Sequence, residues 1–182
     1  MSKKIVVLTG SPRRNGNSFA MTEAFIKSAE KKGHSITRID ASFIKVGGCN
    51  GCAKCYTHEG KACVIEDDFN KIAPDILEAD AVVFTTPLYW YTFPAQLKAV
   101  IDKTFAFFVA QKDIAGKQCA LIACCEEEDA SMMDGLRFSY EHTIALNKWS
   151  SVGEVFITGV LNPGDIEKTD GLNKATLLAE AF

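Results

Sequence analysis

Three short apolar runs constrain the fold more than any other feature of the chain. Ile5-Val6-Val7-Leu8, Ala81-Val82-Val83-Phe84-Thr85 and Cys119-Ala120-Leu121-Ile122-Ala123 show no polar alternation. A strand that faces water on one side alternates, so an unbroken apolar run marks a strand covered on both faces, as in a parallel sheet. Two further stretches, 35–40 and 152–158, fit strands as well. Helical periodicity fills the intervals. In 17–32, Met21, Ala24, Phe25, Ser28 and Ala29 share one face, and Gly33 ends the helix. Asp67 and Asp68 read as caps for a helix over 69–78 rather than as an acid pair or metal ligands. Pro94 reads as the first residue of a helix reaching about 108. A helix over 131–147 places Leu136, Tyr140 and Ile144 on one face, and a last helix covers 168–182. Five strands alternating with five helices predict an α/β three-layer sandwich around a five-stranded parallel sheet. The expected strand order is 2-1-3-4-5, a fold-level inference that periodicity alone does not supply, with ligand at the carboxyl ends of strands one and three.

The 182 residues suffice for one domain with a substantial core, spanning 1–182 with an irregular excursion over 41–68. A net charge of −3 argues against nucleic acid as a partner. No run of about 20 apolar residues is present, so no membrane span is expected. The chain enters a strand at once, without a signal-peptide pattern, and carries seven cysteines. A cytoplasmic, reducing setting is therefore expected, where close cysteines more often bind metal or act in redox chemistry than form structural disulfides.

The first strand runs into Thr9-Gly10-Ser11-Pro12-Arg13-Arg14-Asn15-Gly16-Asn17-Ser18 and then a helix. A polar loop between a strand and a helix N-terminus is suited to an anion, because backbone N–H groups and the positive helix end point into it. Ser11, Asn17 and Ser18 add side-chain donors, and Arg13 adds a cation suited to phosphate. The loop is not a P-loop: Asn15 stands where the second Gly belongs, and the next Gly, Gly16, is followed by Asn17 where the Lys would be. It is not the dinucleotide fingerprint, since Ser-Pro follows Gly10, and no Cys is present for a Cys-x5-Arg phosphatase loop. A single phosphate monoester remains, against the plainer alternative of an ordinary strand–turn–helix with polar caps.

The loop after the third strand reads Thr86-Pro87-Leu88-Tyr89-Trp90-Tyr91-Thr92-Phe93-Pro94. Its four aromatic rings either line a surface for a flat ligand or serve as core or dimer contacts. Paired with a monophosphate loop, they favour a flat ring system with a phosphate tail, which describes flavin mononucleotide (FMN).

These segments resemble the NAD(P)H-dependent FMN reductase family, of flavodoxin-like fold. The resemblance rests on Gly10-Ser11-Pro12-Arg13 with Asn17-Ser18, Thr86-Pro87-Leu88-Tyr89, Leu97-Lys98 with Asp102, and Cys49-x2-Cys52-x2-Cys55 followed by Cys63-Val64-Ile65-Glu66-Asp67-Asp68. It covers roughly residues 3–110. It implies Ser11, Arg13, Asn17 and Ser18 at the FMN phosphate, and Thr86, Pro87, Leu88, Tyr89 and Trp90 along the ring system. It also implies a homodimer with flavin near the subunit interface. Lys103 departs from the Arg common in relatives and touches no implied flavin contact. Cys124-Cys125-Glu126-Glu127-Glu128-Asp129 replaces a Gly-rich loop. Its acids read as a solvated face or the first turn of a helix; beside a flavin they would instead lower its potential. Cys124 and Cys125 read as partly buried small hydrophobes.

Cys49, Cys52, Cys55 and Cys63 can converge on one point, and Gly47, Gly48, Gly51 and Gly60 leave the chain free to wrap it. Four thiolates suit a 4Fe–4S cluster or zinc. The motif resembles that of the iron–sulfur flavoproteins, while free or redox-active thiols are the competing reading. His58 within this excursion, His34 and His142 read as structural or solvated.

The expected activity is hydride transfer from NAD(P)H, as co-substrate, to FMN and on to a small-molecule acceptor such as a flavin or quinone. The flavin carries the chemistry, and no catalytic side chain is named. An electron-transfer iron–sulfur flavoprotein reduced by ferredoxin and a redox-sensing flavoprotein are the alternatives.

Overall fold

The computed structural model describes residues 1–182. The strands are β1 (Lys4–Thr9), β2 (Ser35–Asp40), β3 (Ala81–Pro87), β4 (Gln118–Cys124) and β5 (Ser150–Ile157). The helices are α1 (Asn17–Lys31), α2 (Phe69–Glu78), α3 (Ala95–Lys103), α4 (Phe105–Val109), α5 (Asp134–Asn147) and α6 (Gly171–Leu178). All strand pairs are parallel and the order is β2-β1-β3-β4-β5, as expected for a flavodoxin-like sheet.

Alternate residues of each central strand feed opposite faces. Ile5, Val7, Val83 and Ile122 pack under α1 and α6. Val6, Leu8, Phe84 and Leu121 pack under α2, α3, α4 and α5. Both faces are covered, which is why these strands carry no polar alternation.

Two boundaries differ from expectation. The helix after β3 starts at Ala95, with Pro94 outside it, and breaks at Thr104 into α3 and α4, so there are six helices where five were expected. Thr104 Oγ1 donates to the Ile101 carbonyl at 2.6 Å, a local bond that competes with continued helix. The last helix is shorter than 168–182, with 3-10 turns at Asp165–Lys168 and Ala179–Ala181 on either side of α6.

The doubly wound order reverses direction between β1 and β3, opening a crevice at their carboxyl ends. Gly10 lies at its base. Its N–H donates to the Thr85 carbonyl at 2.8 Å, and a Cβ there would sit 2.6 Å from Thr86 Oγ1. Only glycine lets the loop after β1 approach β3 this closely.

Candidate flavin site

A cavity of about 490 Å³ occupies this crevice, a size ordinary for a small-molecule or cofactor site. Four loops build it, one from the carboxyl end of each of β1, β3, β4 and β5. Of the nine residues expected at the flavin, Ser11, Arg13, Asn17, Ser18, Pro87, Leu88, Tyr89 and Trp90 line it; Thr86 does not. Thr86 is fully buried, and its hydroxyl donates to the Pro87 carbonyl at 2.8 Å, so it shapes the wall from behind.

The β1 loop is a tight, hydrogen-bonded turn. Ser11 Oγ accepts from the Arg13 N–H and donates to the Arg13 carbonyl, each at 3.1 Å, and that carbonyl also accepts from the Gly16 N–H at 3.1 Å. The N–H groups of Asn17, Ser18 and Phe19, the first turn of α1, have no backbone carbonyl partner, as at any helix start. Asn17 and Ser18 are buried at the wall while Arg13 is exposed at the rim. The Asn17 side chain has a role the sequence did not disclose. Its Nδ2 donates to the Asn162 carbonyl at 3.0 Å and its Oδ1 accepts from the Ile166 N–H at 3.2 Å. Asn17 thus straps the β5 loop onto the start of α1, and its carboxamide is already engaged in that strap.

The β3 loop is a two-residue hairpin. Tyr89 and Thr92 exchange N–H to carbonyl bonds at 3.1 Å in both directions. Trp90 and Tyr91 between them have φ of 46° and 63°. This is the left-handed pair that Asn-Gly normally supplies, and bulky residues there are strained by roughly 1–3 kcal/mol each. Neighbours hold the turn: the Tyr91 carbonyl seats on Gly135 of α5, where a Cβ would approach it to 2.6 Å, and Thr92 Oγ1 meets Ser139 Oγ at 3.4 Å. The rings divide between the two expectations. Phe93 joins the core, whereas Trp90 is 91% exposed above the cavity.

The β4 loop supplies Cys124, Cys125, Glu126 and Glu127. Both thiols are buried, as expected. Burial, with Cys125 adding to it, pushes Cys124 up to about 12; the Ser18 hydroxyl and N–H oppose this weakly. Burial and then the Glu127 charge push Cys125 up to about 11. Both therefore stay protonated near neutral pH. The acidic run meets both of its readings. Glu126 and Glu127 line the cavity, while Asp129 caps the 3-10 turn at Ala130–Met133 by accepting from the Ser131 N–H at 2.9 Å.

Gly16 and Tyr91, from the two loops already singled out, add to the lining, and Val160, Leu161 and Pro163 of the β5 loop complete it and were not anticipated. The available signal was Gly159, Pro163 and Gly164, which punctuate the chain where the strand beside β4 ends.

The cysteine excursion lies apart from this cavity, and none of its thiols lines it. Cys49 and Cys52 are exposed; Cys55 and Cys63 are half-buried against the core. Burial raises the Cys55 pKa, and Cys63, Cys49 and Cys52 add to the rise in that order, so all four thiols share one electrostatic neighbourhood. No three His, Cys, Asp or Glu side chains are grouped as a metal cage, however, because two thiols face solvent and two face the core. The excursion is fastened at its end. Asp67 accepts from the N–H groups of Gly47 and Phe69 at 2.9 and 3.0 Å and pairs with the buried Lys103; Asn70 binds the Cys63 N–H and carbonyl at 2.8 and 3.1 Å. Of the two caps expected, Asp68 stands at the N-cap of α2 but makes no side-chain cap bond, its carboxylate accepting from the Lys45 N–H at 2.8 Å instead; Asp67 is the one whose carboxylate accepts from the first N–H of the helix. Lys103 clamps the thiol segment and does not line the cavity.

A lining that combines aromatic side chains, an arginine and the start of a helix fits a flat ring carrying a phosphate. Fold and site together define a flavodoxin-like protein with a mononucleotide-sized cavity at the switch point of its sheet. Residues 3–149 match the NADPH-dependent FMN reductase family, and the chain belongs to it. An iron–sulfur flavoprotein of Archaeoglobus fulgidus is 34% identical over 104 residues, 57% of this chain and 46% of the relative. One from Methanosarcina thermophila is 32% identical over 101 residues, 56% and 52% of the two chains. The chain thus spans about half the length of these relatives. A Bacillus subtilis protein, named as a candidate NAD(P)H-dependent FMN-containing oxidoreductase, is 25% identical over 171 residues, 90% of this chain and 88% of its own. Among solved structures, an NAD(P)H:quinone oxidoreductase from Methanothermobacter marburgensis superposes with a TM-score of 0.76 at 21% identity, covering 98% of this chain and 95% of the other. That likeness establishes the fold.

Proposed function

We propose that the protein is an FMN-dependent oxidoreductase that takes hydride from NAD(P)H and passes electrons to a small acceptor of the flavin or quinone type, working as a homodimer. The observation that carries this reading is the single cavity lined both by Arg13 of the β1 loop and by Tyr89, Trp90 and Tyr91 of the β3 hairpin. Bound FMN would supply the hydride chemistry. The protein's own residues do the rest. Arg13 and the first-turn N–H groups of α1 hold the phosphate. Leu88, Tyr89 and Trp90 flank the ring system, and Trp90 is exposed enough to stack a second flat molecule. Glu126 and Glu127 place negative charge beside the ring and disfavour an added electron pair there. Anaerobic addition of NADPH to the FMN-loaded protein tests the reading. Bleaching of the flavin band, with recovery on adding a quinone, is expected; a flavin spectrum that NADPH and NADH both leave unchanged would overturn it.

A second reading is an iron–sulfur flavoprotein in which Cys49, Cys52, Cys55 and Cys63 hold a 4Fe–4S cluster. The iron–sulfur flavoproteins among its relatives, and the shared electrostatic neighbourhood of the four thiols, favour it. About four irons per chain in protein purified without oxygen would establish it; negligible iron would exclude it.

A further inference from the structure

The four thiols of the excursion share a neighbourhood but not a setting. Cys49 and Cys52 are exposed, on a stretch, residues 46–54, that makes no backbone–backbone hydrogen bond. Cys55 and Cys63 sit where the chain doubles back. The Tyr56 N–H donates to the Ala62 carbonyl at 3.2 Å, and the Lys61 N–H donates to the His58 carbonyl at 3.2 Å across the turn. Gly60, at φ 73°, lets the turn close. Tyr56 therefore faces Ala62 across two antiparallel arms, and Cys55 faces Cys63 one step further out. Facing residues at such a position have Cα atoms about 4.5 Å apart, within the roughly 4.4–6.8 Å that a disulfide spans. Both side chains are half-buried against the same core cluster, so they leave the two arms on one side. Cys63 is also fixed in place. Asn70 holds its N–H and carbonyl at 2.8 and 3.1 Å, and its sulfur accepts from the Ile65 N–H at 3.5 Å.

We propose that Cys55 and Cys63 form a thiol–disulfide pair that exchanges with a low-molecular-weight disulfide such as that of glutathione. Half-burial leaves part of each side chain open to a molecule of that size. One cysteine of the pair, as thiolate, attacks a sulfur of the small disulfide, whose S–S bond breaks as a mixed disulfide forms. The first small thiol leaves and takes up the proton that the attacking cysteine gave up. The other cysteine, losing its own proton, attacks the cysteine sulfur of the mixed disulfide, and the second small thiol leaves with that proton. Cys55 and Cys63 are thereby oxidised by two electrons, and the small disulfide is reduced to two thiols. The closed pair removes two of the four sulfurs that a metal would need, so the excursion serves as a disulfide site or as a metal site but not as both at once. This inference rests on the flavin-only oxidoreductase of the proposed function, in which the thiols hold no cluster. It adds to that protein a redox group outside the flavin cavity, since neither thiol lines it.

The test equilibrates the FMN-loaded protein, with iron assayed on the same sample, in buffers of reduced and oxidised glutathione. Free thiols are then trapped with N-ethylmaleimide, and the peptides are mapped by mass spectrometry without reduction. A peptide linked through Cys55 and Cys63 is expected. Its fraction should rise from about one tenth to about nine tenths as [GSH]²/[GSSG] rather than time is lowered roughly a hundredfold, the course of a single two-electron couple, and should fall again when the ratio is restored. Cys55→Ser is expected to stop the reaction at a mixed disulfide between Cys63 and glutathione. Cys49→Ser with Cys52→Ser is expected to leave the linked fraction unchanged at every ratio. Iron-free protein in which Cys55 and Cys63 are alkylated throughout, or in which Cys49 and Cys52 are linked in their place, would overturn the pair and leave the flavin reading standing. Loss of the link in the Cys49/Cys52 double variant would overturn it as well, by making the outer thiols part of the couple. About four irons per chain would overturn the flavin-only reading and the pair together, because ligated thiols do not exchange.

Discussion

The flavin cavity and the cysteine excursion are built on opposite principles. The cavity is framed by four loops at fixed strand ends, and its walls are held by bonds between loops: Asn17 to the β5 segment, the Leu88 N–H to the Cys124 carbonyl at 2.9 Å, and the Val160 N–H to the Cys125 carbonyl at 2.9 Å. These bonds fix the loops relative to one another. The excursion has no strand or helix between Phe43 and Phe69, and it wraps through left-handed residues at Gly51, Ala53, Tyr56 and Gly60. It is fastened near its end by Asp67, Asn70 and Lys103, while Cys49 and Cys52 face solvent. The difference teaches that the sheet itself specifies the cavity, whereas the thiols depend on local tethers.

Glycine substitutions give the largest contrast. Gly10→Val is expected to destabilise the protein by about 1–3 kcal/mol through overpacking against Thr86 and Leu97, and to lower FMN affinity. Gly48→Ala, with nothing within 4 Å of its Cβ, is expected to change stability by less than ~0.5 kcal/mol. Thermal denaturation of the two variants side by side checks this; equal effects would erase the contrast.

Binding comes next. Arg13→Ala is expected to weaken FMN by about 1.5–3 kcal/mol, roughly ten- to a hundredfold, the usual worth of a charge-assisted hydrogen bond. Cys49→Ser with Cys52→Ser is expected to leave FMN affinity unchanged, because neither thiol lines the cavity. Flavin fluorescence titration separates the two outcomes.

Thiol reactivity is the subtlest test. A raised pKa leaves less thiolate at any pH below it, so Cys124 and Cys125, at about 12 and 11, stay protonated through pH 8. Iodoacetamide at pH 8 is expected to label the exposed Cys49 and Cys52 first and to spare the buried pair until denaturant is added. Peptide mapping reads the order, and early labelling of Cys124 would contradict the burial described.

Much of this was legible in the sequence, for reasons that differ by element. The three central strands announce themselves because both their faces are buried. The β1 loop is readable because a strand, a polar turn and a helix follow in order. Residue chemistry also singled out the β1 and β3 loops, both of which line the cavity. Other features depend on tertiary partners. Trp90-Tyr91 is no hairpin sequence, and its left-handed turn exists because Gly135 accepts the Tyr91 carbonyl from α5. The use of Asn17 as a strap requires a loop 145 residues away. Thr86 carries the same motif as its neighbours but faces Gly10 from inside the wall. Lys103, read as a departure without consequence for the flavin, is a buried cation whose partner lies 36 residues earlier in the thiol segment.

The central claim is a cavity shaped for a flat ring with one phosphate. Titration of the flavin-free protein with FMN and, in parallel, with riboflavin tests it most directly. The account predicts one FMN per chain and binding of riboflavin weaker by at least about tenfold, the loss of one charge-assisted phosphate contact. Equal affinity for the two would contradict it, since Arg13 and the start of α1 would then hold nothing.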